Sequence, residues 1–143
     1  MDRGGDDDGD RPRAFLAGLL VLAALATLVL HLGYVPRHFP EEYYRAVPYL
    51  AAGWVSYAMV FYVLGRLASD PSELPSMRSG DVGAALALLA LLLAVALDAG
   101  GFSPRLVLEA YVVLAVPLYA GLALVGWSLG RRTRAINRIA GRR

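Results

Sequence analysis

The sequence predicts an all-α integral membrane protein with four transmembrane helices packed as a small antiparallel bundle. Of its 143 residues, 57% are hydrophobic and only 18% are charged, against roughly 45–50% and about 25% in a typical soluble domain. The apolar residues are gathered into four long blocks instead of being spread along the chain. Each block is near or above the roughly 18 apolar residues that a hydrocarbon core about 30 Å thick requires.

The first block, residues 14–32, follows a leader at 1–13 that is rich in Asp, Gly and Arg. The leader lacks the apolar surface that would offset its ordering entropy, so we predict a disordered cytoplasmic segment. The block is longer than the apolar region of a secretory signal, and no A-x-A-like cleavage site follows it. A retained helix is therefore favoured over a cleaved signal peptide.

The second span is predicted at about 48–68, and its start is open. Pro40 followed by Glu41 and Glu42 is typical of a first helical turn, and Pro48 is a second possible start. The third span is predicted at about 82–99, ending at a Gly-Gly pair. The fourth is predicted at about 104–129, with Ser103 as its N-cap and a first-position proline after it.

The arginines predict the orientation. With four spans, both termini and the loop between the second and third spans lie on one side, which carries eleven Arg against three on the other. By the positive-inside rule, the termini are cytoplasmic in a multi-pass protein of the cell membrane.

The tail at 130–143 is then a basic cytoplasmic segment. Four of its arginines are predicted to bind anionic lipid headgroups: Arg131, Arg132, Arg134 and Arg138. A nucleic-acid partner is not expected, because the tail directly follows a span.

Four polar residues near the outer ends of the spans form the candidate site: His31, Tyr49, Asp98 and Glu109. An ionisable group inside a span is costly and is a functional candidate by default. The alternative is structural, with Glu109 pairing with Arg105 one turn earlier or joining two helices by a hydrogen bond.

Small and polar residues at helical spacing predict the packing faces, because close approach in lipid relies on small side chains. In the third span such a stripe leads to Asp98: Gly83, Ala87, Ala90 and Ala94. The predicted faces of the other spans are Ala17, Ala24, Thr27 and His31 in the first, Tyr49, Gly53 and Ser56 in the second, and Glu109, Val113, Pro117 and Ala120 in the fourth.

The sequence carries no recognisable catalytic motif. It has no Cys, no G-x-S-x-G, no H-E-x-x-H and no phosphate-binding loop. The pair His38 and Glu41 offers too few ligands for a structural metal site. We therefore expect no enzyme, cofactor or metal, but a non-catalytic accessory, scaffold or assembly subunit of a membrane complex, with a membrane-protein partner or a second copy of itself. The alternative is a small oligomeric transporter or channel that uses Glu109 as a proton- or cation-linked carboxylate.

Overall fold

A computed structural model of the chain describes residues 7–69 and 74–141, with side chains from residue 12 onward. Over these residues the protein is helical and contains no strand. The helices are α1 (Asp7–Leu28), α2 (Val35–His38), α3 (Tyr43–Ala68), α4 (Arg78–Ala99) and α5 (Leu108–Ala140), and a π-helical segment (Val29–Tyr34) connects α1 to α2.

Four stretches of helix are long and apolar enough to cross a membrane. They are Pro12–His38, Tyr43–Ala68, Arg78–Ala99 and Leu108–Ala140. The prediction of an all-helical chain with four such helices is therefore confirmed over the described residues. These helices are compatible with a multi-pass membrane protein.

Helix α1 begins earlier than the predicted first span. It starts at Asp7, so residues 7–13, predicted as part of a disordered leader, are helical; residues 1–6 lie outside the described structure. Extending a helix is far easier than nucleating one, so the apolar segment can propagate its helix backwards. Acidic residues in a first turn are also favourable beside the helix dipole.

The starts of α3 and α5 also differ from prediction. Helix α3 begins at Tyr43, between the two proposed starts, and Pro48 lies inside it. Helix α5 begins at Leu108 instead of 104. Ser103 O accepts hydrogen bonds from the backbone N–H groups of Leu106 and Val107 at 2.9 and 3.1 Å, so Ser103 closes a separate turn before α5. The helix then continues through the predicted basic tail to Ala140.

The four long helices are arranged in a row. Helix α5 packs between α3 and α4, and α1 packs against α3. Within the described residues, the backbone of α1 does not come close to that of α4 or α5, and the backbone of α3 does not come close to that of α4. The order in space is therefore α1–α3–α5–α4, and the backbone of each end helix packs against one of the other three.

Glycines allow α5 to approach both of its neighbours closely. A methyl group added at Gly130 would overlap the carbonyl oxygen of Tyr62 on α3, and one added at Gly121 would overlap the carbonyl oxygen of Gly83 on α4. Gly126 has the same relation to Ala58 on α3. Such close backbone packing gains dispersion energy without a hydrophobic drive between helices.

The predicted packing face of α5 is wrong. Glu109, Val113 and Ala120 are exposed, and the buried residues of α5 are Leu118, Gly121, Gly126, Ser128, Gly130 and Ala135. Helices approach each other most closely where their side chains are smallest, and the glycines of α5 lie on a different face from the predicted one.

In α4 the predicted stripe is confirmed, since Gly83, Ala87 and Ala90 are buried. In α1, Ala17 is exposed and Leu16 and Ala23 are buried instead.

Candidate functional site

The polar contacts inside the helices centre on His31, in the π-helical segment. Its Nδ1 lies 2.8 Å from the carbonyl oxygen of Thr27, and its Nε2 is hydrogen-bonded to the Tyr119 hydroxyl on α5. A carbonyl oxygen only accepts, so Nδ1 carries the proton and, in the neutral ring, Nε2 accepts the hydrogen of Tyr119. These two bonds define both the tautomer and the orientation of the imidazole.

The His31 ring lies directly against α3. A methyl group at Gly53 would be 2.5 Å from His31 Cε1 and 3.0 Å from Nδ1. Tyr57 packs edge-on against Tyr119, with ring centroids 5.0 Å apart and planes at 87°. His31 and Tyr119 therefore form a bridge from the π-helical segment across α3 to α5, and Gly53 makes room for it.

A second polar contact joins α1 to α3. Thr27 Oγ1 lies 3.0 Å from Ser56 Oγ and 2.8 Å from Ala23 O, and Ser56 Oγ lies 2.9 Å from Gly53 O. The hydroxyl groups of Thr27 and Ser56 have only two protons for these three contacts. At any moment, therefore, either one hydroxyl donates to the other across the α1–α3 interface, or both donate to carbonyl oxygens of their own helices.

Asp98 is engaged at the start of α3. Tyr43 OH donates to Asp98 Oδ1 at 2.9 Å, and the Tyr44 ring packs on that of Tyr43 with centroids 4.0 Å apart. Beside it, Tyr111 OH donates to Phe102 O at 3.0 Å. Asp98 thus links the first residue of α3 to the last turn of α4.

Glu109 lies on the exposed side of α5. Among the described residues, it forms neither a hydrogen bond nor an ion pair. The alternative pairing with Arg105 is absent there, because the Nε atom of Arg105 lies 3.0 Å from Glu41 Oε2. The carboxylate therefore lies in the first turn of α5 with no partner in the described part of this chain.

Tyr49 belongs to a layer of aromatic rings. It stacks on Tyr34, with centroids 5.1 Å apart and planes at 18°, and on His38, with centroids 5.8 Å apart and planes at 8°. His38 Nδ1 is 3.4 Å from Glu42 Oε2. Planar stacking of this kind anchors the α2 turn to α3.

The four predicted site residues do not form one cluster in the described structure, where no hydrogen bond, ion pair or ring contact joins any two of them. Asp98, Tyr49 and His31 each have a different partner, and Glu109 has none there. Sequence reasoning missed Tyr119 and Tyr43 as partners. Both could have been suspected because each places a phenolic hydroxyl in or beside an apolar helix, and a buried Tyr hydroxyl usually finds a hydrogen-bond partner.

A cavity of about 200 Å³ opens beside the His31–Tyr119 bridge. It lies among α2, α3, α4 and α5, and Trp54, Ala90, Leu118 and Tyr119 are in its wall. Trp54 Nε1 is buried without a hydrogen-bond acceptor among the described residues. Within that part of the chain, no group of three His, Asp or Glu residues is placed to hold a metal ion.

The predicted headgroup-binding arginines are in one helix with the last span. Arg134 Nη1 donates to the carbonyl oxygens of Arg66 and Leu67 at 2.9 and 2.8 Å. It thereby satisfies carbonyl groups that the end of α3 leaves free, and places a positive charge at the negative end of the α3 dipole. Arg132 and Arg138 are exposed and Arg131 is half-buried. Headgroup binding by these residues remains a prediction.

No protein-family model matches the sequence, and neither the curated proteins nor the solved structures compared with it give a match. Function is therefore inferred from the contacts, exposure and charge of the chain's own residues.

Proposed function

We propose that the protein is a non-catalytic accessory, scaffold or assembly subunit of a complex in the cell membrane. It spans the bilayer four times as an antiparallel bundle, with both termini in the cytoplasm. The arginine excess supports this orientation. Antiparallel packing is supported by contacts between α4 and α5, where Gly83 lies against Gly121 and Gly80, earlier in α4, lies against Ser128, later in α5.

The observation that carries the accessory role is the use of polar groups in the spans. His31, Thr27 and Asp98 bond to neighbouring helices or backbone, which leaves them little freedom to bind or move a substrate. Each such contact in a membrane protein is worth about 0.6 kcal/mol and at most about 1.7 kcal/mol. Several small contacts of this kind suit a chain whose chief task is to keep its shape.

The exposed position of Glu109 supports the proposal that a protein partner binds the outer face of α5. The face around it is apolar, with Val112, Val113 and Val116 at 58%, 68% and 70% exposure. Exposed aliphatic residues alone do not drive association in lipid, because lipid tails are equally apolar. A carboxylate on such a face is costly to leave in lipid, so a polar group from another membrane protein or a second copy would stabilise it.

Copurification tests the accessory role. After mild solubilisation, we expect a larger membrane protein to be recovered in stoichiometric amount with the wild-type chain. The Glu109→Gln variant should recover severalfold less, whereas Glu41→Gln, which removes a carboxylate on the same proposed side, should behave as wild type. A clean homo-oligomer whose cation or proton flux is lost in Glu109→Gln would contradict the accessory role and support the alternative transporter.

Single-cysteine labelling tests the proposed topology. The chain has no Cys, so one cysteine can be introduced without removing any other. We expect Ser76→Cys, between α3 and α4, to react with a membrane-impermeant maleimide only from the cytoplasmic side. Leu106 lies between α4 and α5 and is 71% exposed. Leu106→Cys should therefore react with the same maleimide only from outside. Labelling of both from one side would contradict four antiparallel spans; the unmodified chain is the blank.

A further inference from the structure

Three arginines from three helices surround one pocket at the end of α3 opposite to Tyr43 and Asp98. The pocket has a volume of about 210 Å³. Its wall consists of Pro12, Arg13 and Leu16 from α1, Arg66 and Leu67 from α3, and Arg134 from α5. The wall therefore combines three guanidinium groups with apolar side chains.

The charge of this pocket is not balanced by the side chains that the structure describes. Among them, no carboxylate forms an ion pair with Arg13, Arg66 or Arg134. Arg66 Nε is buried and has no hydrogen-bond acceptor in that part of the chain, although its guanidinium carbon lies 5.9 Å from the centre of the Tyr62 ring. A buried N–H group without an acceptor is costly, and the positive charge of the Arg66 guanidinium group favours an anion in the pocket.

The hydrogen bonds of Arg134 also favour an anion in this pocket. Both of its described hydrogen bonds use Nη1 and end on carbonyl oxygens of α3. The bonds hold the side chain in place and leave its Nη2 and Nε donors without a described partner. Guanidinium groups bind phosphate through two parallel N–H bonds, so an Arg held rigidly at a pocket wall is a prepared phosphate ligand.

We propose that the Arg13–Arg66–Arg134 pocket binds the phosphate group of an anionic phospholipid. A lipid is favoured over free phosphate because Pro12, Leu16 and Leu67 supply an apolar wall beside the charges. Basic pockets between spans on the cytoplasmic side are suited to anionic headgroups. This proposal rests on the membrane insertion proposed above and is independent of the accessory role. Binding in this pocket differs from a general electrostatic attraction of the basic tail to anionic lipid, because Arg13 and Arg66 lie outside the tail.

Binding of defined lipids to the full chain in a neutral detergent tests the proposal. Phosphatidylglycerol, phosphatidylcholine and inorganic phosphate are titrated separately, and bound lipid is read by native mass spectrometry together with the shift in melting temperature. We expect phosphatidylglycerol alone to bind tightly. Arg13→Gln and Arg66→Gln should each weaken its binding about fivefold, which corresponds to the loss of one basic residue at an anionic surface.

Two variants serve as controls. Arg78→Gln removes the same charge from an exposed position at the start of α4, on the same proposed side of the membrane, and binding of phosphatidylglycerol should change less than twofold. Arg13→Lys keeps the charge at an exposed position and should retain most of the binding, which separates the loss of charge from any loss of folding.

Three outcomes would overturn the proposal. They are equal weakening by Arg78→Gln, equal binding of phosphatidylcholine, and stabilisation by inorganic phosphate with the same dependence on Arg13. The last would make this a site for soluble phosphate. Failure to recover a protein partner would contradict the accessory role but leave the lipid result untouched, so the two proposals fail separately.

Discussion

Replacement of Gly130 by alanine is expected to destabilise the protein strongly, by about 1–3 kcal/mol or more, the range for overpacking of a well-packed interface. The added methyl group would overlap the carbonyl oxygen of Tyr62, with Arg66 N also within 3.1 Å. These are backbone atoms of α3, so no side-chain rotation relieves the clash and the two helices must separate. The measurement is the melting temperature or the unfolding free energy in detergent.

Gly18→Ala is the matched control for Gly130→Ala. Both glycines lie within helices, but Gly18 has no atom within 4 Å of the position of the new methyl group. Alanine is favoured over glycine in a helix by about 1 kcal/mol, so Gly18→Ala should be neutral or slightly stabilising. Equal losses in the two variants would show that close approach of α3 and α5 is not what Gly130 provides.

The second large effect is expected at Gly53, where the His31 ring leaves no room for a side chain. Gly53→Ala should cost about 1–3 kcal/mol through overpacking. His31→Ala should cost about 1–3 kcal/mol as well, because it leaves the Tyr119 hydroxyl without its partner. In the double variant the new methyl group meets the space left by the imidazole. The combined loss should therefore be smaller than the sum of the single losses, by at least about 0.5 kcal/mol.

Tyr119→Phe separates the hydrogen bond from the packing. It removes only the hydroxyl group and should cost about 0.6–1.7 kcal/mol, the range measured for hydrogen bonds between membrane helices. The cost of Gly53→Ala should remain larger in this background than in the His31→Ala background, because the His31 ring is still present. Strict additivity of Gly53→Ala and His31→Ala would contradict direct contact between the two residues.

The helices were predictable because their signal is local. An apolar run of membrane length is read directly from composition, and the stripe Gly83, Ala87 and Ala90 of α4 contains only small residues on one face. In α5 the same reasoning chose the face of Val113 and Ala120, although the glycines Gly121, Gly126 and Gly130 are smaller. The stripe predicted for α5 contains Pro117 and Glu109 together with these larger residues, whereas the glycines, which have no side chain, lie on a different face.

The polar partners were less predictable for a different reason. His31 is separated from Tyr119 by 88 positions, and Tyr43 from Asp98 by 55. Periodicity along one helix states which residues share a face, but it carries no information about which residue of another helix stands opposite. A hydrogen bond between helices depends on their relative height and rotation, which here are set by glycine contacts such as that of Gly53 with the imidazole.

The central position of α5 has a consequence for biosynthesis. A ribosome releases the helices in chain order, so α1 and α3 can associate before α4 and α5 have been made. Helix α4 is linked to α3 by the hydrogen bond from Tyr43 to Asp98, but in the described structure its backbone packs only against α5 among the long helices, and α5 follows it in the chain. Until residues 108–140 have been made, α4 lacks the helix against which its face of Gly83, Ala87 and Ala90 packs. Packing of the four long helices therefore becomes complete only when α5 has been made.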